Sequence, residues 1–132
     1  MDEMRIVSGG LDDRSGSVPN DCAPASGPGI FNVTVSVYRS QNAQTPAISK
    51  ETRLPVQGTV ILALQNLASE KKLNYTSKYY VPYGHIITGI GHVMLEANQY
   101  FSLLLNNKTV TCGADTLILQ PNDVVQFKVT HL

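Results

Sequence analysis

From Ile30 the chain alternates apolar and polar residues, with Phe31, Val33, Val35 and Val37 on one side and Asn32, Thr34, Ser36 and Tyr38 on the other. A period of two places each set on one face of an extended chain, so the segment reads as a half-buried strand. Arg39 to Pro46 is polar and turn-forming; Thr52, Leu54 and Val56 then alternate more weakly up to Gly58, which predicts a second strand and a hairpin. At Thr59 the period changes. Val60, Leu64, Leu67 and Ala68 recur at three-to-four spacing, with Gln65, Asn66, Ser69 and Glu70 opposite, predicting a helix over Thr59 to Lys72 with one apolar face. Gly58 and Thr59 supply an N-cap, and Lys71 and Lys72 bring positive charge to the negative end of the helix dipole.

Beyond the helix the pattern returns to strands: Tyr75 to Tyr80, His85 to Ile90, Tyr100 to Leu105, a short Thr109 to Thr111, and Val124 to Val129. Turn chemistry separates them at Pro82/Gly84, Asn106-Asn107 and Pro121-Asn122-Asp123, and His92 to Gln99 reads as connection. Strands before and after a single helix define an α+β domain. A hairpin, one helix laid across a mixed sheet and further strands after it describe a small β-grasp-like architecture over 30–132. Residues 1–29, rich in Gly, Pro, Ser and Asp, read as a flexible leader or linker.

Composition narrows the function classes. The 132 residues fit one domain, and ten Lys+Arg balance ten Asp+Glu with no basic cluster, so the electrostatic footprint of nucleic-acid binding is missing. No apolar run reaches the length of a membrane span, and Met1 to Gly10 lacks the pattern of a secretory signal. Cys22 and Cys112 are too few and too far apart for a redox motif or a multi-cysteine zinc site, and no metal site is expected. They can form one bridge, which would tack the leader to the domain, or remain free thiols. Three N-x-[ST] sequons stand at Asn32, Asn74 and Asn107. With few charges and an even cysteine count, these candidate glycosylation sites favour an extracellular, secreted protein; a cytosolic location with free thiols is the alternative.

The candidate chemistry lies between Tyr79 and Asp115. Tyr79, Tyr80, Tyr83, Tyr100 and Phe101 concentrate the aromatic residues in a segment broken by Pro82 and Gly84, a composition suited either to edging a flat, partly apolar ligand or to packing a sheet with solvent-tipped tyrosines. His85 follows a glycine in that loop and counts as a loop contact. His92 and His131 share no metal-ligand spacing with it. No nucleophile elbow, P-loop or paired acidic motif frames Cys112 or a serine, so an enzyme is not expected. Asp115 and Asp123 sit in turns, where capping of the backbone accounts for them.

Several stretches in order carry a family resemblance: Val-Thr-Val-Ser-Val-Tyr; Gly-Thr-Val-Ile-Leu-Ala-Leu-Gln-Asn-Leu-Ala; Pro-Tyr-Gly-His-Ile-Ile-Thr-Gly-Ile; Tyr-Phe-Ser-Leu-Leu-Leu; and Cys-Gly-Ala-Asp-Thr-Leu-Ile-Leu-Gln-Pro-Asn-Asp-Val-Val. Together, from Ile30 onward, they resemble the C-terminal β-domain of the vitamin B12 carriers: intrinsic factor, transcobalamin and haptocorrin. The resemblance implies non-catalytic binding of cobalamin or a related corrinoid, the β-domain covering one face of the ring while a helical-barrel domain covers the other. Carried over by position, the ligand contacts fall on Pro82, Tyr83, Gly84, His85, Ile86 and Ile87, and on Phe101, Ser102, Leu103 and Leu104. This chain departs from the pattern with Phe101 where a Trp is usual, Ser102 in place of a Gln, Cys112 ahead of the Gly113-Ala114-Asp115 turn, and no helical barrel. The expectation is therefore a corrinoid-binding domain, with a helical-barrel partner or a cell-surface receptor as possible macromolecular partners; the alternative is an extracellular protein- or glycan-interaction module on the same scaffold.

Overall fold

The computed structural model describes residues 29–132; the leader expected over 1–29 and Cys22 therefore lie outside the described residues, Gly29 excepted. Eight strands and one helix follow in the order β1 (Ile30–Tyr38), β2 (Ile48–Pro55), α1 (Val60–Ser69), β3 (Tyr75–Tyr80), β4 (Gly84–Ile90), β5 (Val93–Met94), β6 (Gln99–Leu105), β7 (Lys108–Thr109) and β8 (Val124–His131).

The principal sheet has five strands in the order β2-β1-β8-β6-β7. β1 pairs antiparallel with β2 and parallel with β8, so the sheet is mixed, and β8 pairs antiparallel with β6. A hairpin, a helix, and a last strand returning parallel to the first give the β-grasp-like plan expected from the sequence. Between α1 and β6 the chain adds a separate antiparallel sheet, β3-β4-β5. The expected mixed sheet is thus joined by a second one, which periodicity does not distinguish: alternation shows that a segment is a strand but not which neighbour it takes.

The alternation of β1 determines the core. Phe31, Val33, Val35 and Val37 are buried, and the registers align them with Leu54 and Ile48 of β2 and with Val125 and Phe127 of β8. On α1 the buried set is Val60, Ala63, Leu64 and Leu67. Burying each of the larger three contributes about 1.5–3 kcal/mol, the energy that holds a ten-residue helix too short to persist alone. Its N-terminus is closed from outside the helix. Thr59 Oγ1 accepts from the Leu62 N–H, while the N–H groups of Val60 and Ile61 donate to the carbonyls of Leu117 and Ala114. The 113–119 segment is thereby bound to the helix start, with Leu117 and Leu119 in the core.

At the other end the helix stops at Ser69 with Glu70 as C-cap, and Lys71 takes the left-handed conformation at φ 61°. The two lysines expected at the helix end thus lie just past it. Lys72 pairs with Glu70 at 3.4 Å and donates to the Glu51 carbonyl at 3.1 Å, joining the cap to β2.

Candidate functional site

β3 and β4 form a hairpin whose register runs from Tyr75↔Ile90 to Tyr80↔Gly84, leaving Val81, Pro82 and Tyr83 as its tip. The Val81–Pro82 peptide is cis. Tyr83 is 78% exposed, and Tyr79, Tyr80 and Val81 are exposed beside it. Gly84 re-enters the sheet at φ +89°, a region that favours glycine, and a Cβ there would stand 2.6 Å from Asp115 Oδ2. The missing side chain is what lets the Asp115 carboxylate reach the hairpin.

That carboxylate binds the next residue twice. The His85 N–H donates to Oδ2 at 3.2 Å, and the imidazole Nδ1 lies 3.0 Å from both carboxylate oxygens. Tyr79, the register partner of His85 on β3, meets the imidazole edge-on with ring centroids 5.1 Å apart. Asp115 therefore does not cap its own turn, as the sequence suggested; it fixes a histidine thirty positions earlier. Asp123 does serve its turn, accepting from the Gln120 N–H at 2.8 Å and from Asn106 Nδ2 at 2.9 Å.

Parts of the two segments singled out by the resemblance meet across a groove of about 370 Å³. His85, Ile86 and Ile87 of β4 form one wall and Tyr100, Phe101, Ser102 and Leu103 of β6 the other. Thr109, Val110, Cys112, Gly113 and Ala114 close it, with Phe127 behind. β7 pairs only with Leu104 and Leu105, so among the described residues the Tyr100–Phe101 edge of β6 has no strand beside it and faces the groove. Phe101 packs edge-on against Phe127 with centroids 5.8 Å apart, and the Ser102 hydroxyl lies 2.8 Å from that of Thr130.

Four of the ten expected contact residues are not in this wall. Pro82 and Tyr83 project at the hairpin tip, Gly84 is buried against Asp115, and Leu104 sits where β6 pairs with β7. Of the residues not anticipated, Ala114 and Phe127 reach the groove from the far end of the chain, and nothing in their spacing announces it. Cys112 is disulfide-bonded; Cys22, its candidate partner, lies outside the described residues. Asn32, Asn74 and Asn107 are all exposed, Asn107 in the β6–β7 turn at φ 72°.

A larger cavity of about 610 Å³ lies elsewhere, between the start of β2, the end of α1 and the β4–β5 turn. Lys50, Lys71, Lys72 and His92 line much of it. The smaller groove is the better candidate for a flat, partly apolar ligand because aromatic and aliphatic side chains make its walls. Among the described residues no group of three or more His, Cys, Asp and Glu could hold a metal ion, and no helix is long and apolar enough to cross a membrane.

Several solved structures share the fold. Haptocorrin in complex with Cbi superposes over 77% of this chain with a TM-score of 0.62 at 12% identity, and this chain spans only 25% of haptocorrin, its C-terminal portion. A protein from Ruminococcus gnavus ATCC 29149, provisionally described as metal-binding, superposes over 77% of this chain and 98% of its own with a TM-score of 0.53 at 16% identity. No known family profile and no curated protein matches the sequence. At these identities the likeness is one of fold.

Proposed function

We propose that this domain binds cobalamin or a related corrinoid without transforming it, covering one face of the planar ligand. The observation that carries the reading is the groove itself, where the β4 residues His85 to Ile87 face the β6 residues Tyr100 to Leu103. All of these but Tyr100 are among the ten residues that the carrier resemblance marks as ligand contacts. The shared fold with haptocorrin, whose structure contains Cbi, supports the choice of corrinoid over other flat ligands. At about 370 Å³ the groove lies near the lower end of the ~300–1,000 Å³ usual for ligand sites, and it suits one face of a large ring better than a whole enclosed ligand. A second domain would then cover the opposite face, as in the carriers that the sequence resembles. Secretion, glycans at the three sequons and a role in vitamin B12 transport belong to the same proposal.

Titration with cobalamin, followed by heat release and by corrin absorbance, tests it. Saturable binding is expected, alone or with a helical-barrel domain added; its absence in both cases ends the proposal. Ile86 lines the groove yet is 44% exposed, so Ile86→Asp is expected to weaken binding about tenfold or more while changing stability by no more than ~0.5 kcal/mol.

The hairpin tip supports a second reading, an extracellular protein- or glycan-interaction module. Tyr79, Tyr80, Val81 and Tyr83 are exposed and stand outside the groove. A partner lost on Tyr83→Ala and retained on Ile86→Asp, in a chain that binds no corrinoid, would favour it.

A further inference from the structure

His85 is held more tightly than a half-exposed groove residue requires. Its side chain is 37% exposed, yet its backbone N–H and its Nδ1 both bind Asp115, and Tyr79 packs against the ring. A carboxylate acceptor at Nδ1 favours the imidazole tautomer that carries its proton there and its lone pair on Nε2. No described residue bonds Nε2. A carboxylate that fixes the tautomer and orientation of an imidazole on one nitrogen, leaving the other bare, is the usual support of a metal-ligating histidine.

A free ion does not fit here. Among the described residues no group of three or more His, Cys, Asp and Glu forms around His85, whose one carboxylate neighbour is engaged at Nδ1, and a single imidazole nitrogen is too few donors to hold a divalent cation against water. A metal bound at Nε2 would therefore arrive with its coordination sphere almost filled, as in a metal macrocycle, and the groove beside His85 has the aromatic and aliphatic walls for one. Resting on the corrinoid reading above, we propose that His85 Nε2 takes an axial position on the cobalt of the bound corrinoid, with Asp115 as the positioning residue. The step is a ligand exchange: the cobalt–water bond breaks, the Nε2 lone pair forms the new bond, and the oxidation state is unchanged.

Two probes separate this from binding alone: aquocobalamin, whose upper-face water exchanges, and methylcobalamin, whose carbon ligand does not. The expected result is a saturable shift of the aquocobalamin absorption bands to longer wavelength, with no shift for methylcobalamin and about tenfold weaker binding of it. His85→Ala, checked as folded by its thermal melt, is expected to bind aquocobalamin calorimetrically without the shift and no more tightly than methylcobalamin. Asp115→Asn is expected to keep the shift at reduced affinity. Calorimetric binding of aquocobalamin to the wild-type protein without a shift, or a shift that survives His85→Ala, overturns axial ligation and leaves the binding proposal standing. No binding of either probe removes the binding proposal, and this inference with it.

Discussion

Gly84 and Asp115 show how one absent side chain can organise a site. A Cβ at Gly84 would meet Asp115 Oδ2 at 2.6 Å on a backbone already at φ +89°, so Gly84→Ala is expected to cost roughly 1–3 kcal/mol and to loosen His85 from its carboxylate. Denaturant unfolding measures the first effect, and the imidazole resonances of His85 report the second. His85 was readable in the sequence as a loop contact because it follows a glycine between two strand patterns. Asp115 was not: its partner is thirty positions away, and in sequence a turn aspartate that caps its own backbone looks the same as one that reaches across the fold. Phe101 was expected to present its ring to the ligand. It does line the groove, but it also packs edge-on against Phe127, a contact set by the β6–β8 pairing of Leu103 with Phe127 and Phe101 with Val129.

Elements with a strong period of their own were legible. β1 follows its alternation from Ile30 to Tyr38, and α1 buries the three-to-four series found in the sequence. Elements that exist because of their neighbours were not. β2 begins at Ile48, through the charged and polar stretch Ser49-Lys50-Glu51, since its first half is a strand by pairing with Val35 to Val37 rather than by any alternation of its own. β5 has two residues, fewer than one period can reveal, and lies within the stretch read as connection. The end of α1 offers a test at this scale. Lys71 occupies the left-handed position where glycine is preferred, and its side chain makes no bond of its own, whereas Lys72 carries the links to Glu70 and Glu51. Lys71→Gly is expected to raise stability by about 0.5 kcal/mol, the relief of backbone strain outweighing the added freedom of the unfolded chain, and a thermal melt would show it as a higher midpoint.

For the whole molecule, the groove lies where three parts of the chain converge: the inserted β3-β4-β5 sheet, the β6 edge of the main sheet, and the 109–114 segment with its bonded Cys112. Two of these walls are tied together, because the 113–119 segment is fastened to the start of α1 and through Asp115 to β4. Cys112 lines the groove itself, so reduction is expected to act on stability and on binding together. Unfolding with and without reductant should differ by about 2–4 kcal/mol, with corrinoid affinity falling in the reduced protein. The class of domain and the helix packed on its sheet could be read from the sequence, whereas the junction of the two sheets that makes the groove could not, since it depends on which strand edges remain unpaired.

The parallel pairing of β1 with β8 has a consequence for how the domain is made. Thr34 to Tyr38 take Val124 to Lys128 as neighbours, about ninety positions later in synthesis. Until the β8 residues have left the ribosome, the buried valines of β1 have β2 on one side and water on the other, and β6 lacks the strand that joins it to the rest. The hairpin and helix can gather early, but the sheet cannot close before β8 has been made. Closure of the sheet therefore waits for β8, and a nascent chain stalled in the 106–123 region would present an open β1 edge to whatever chaperone or aggregating neighbour met it first.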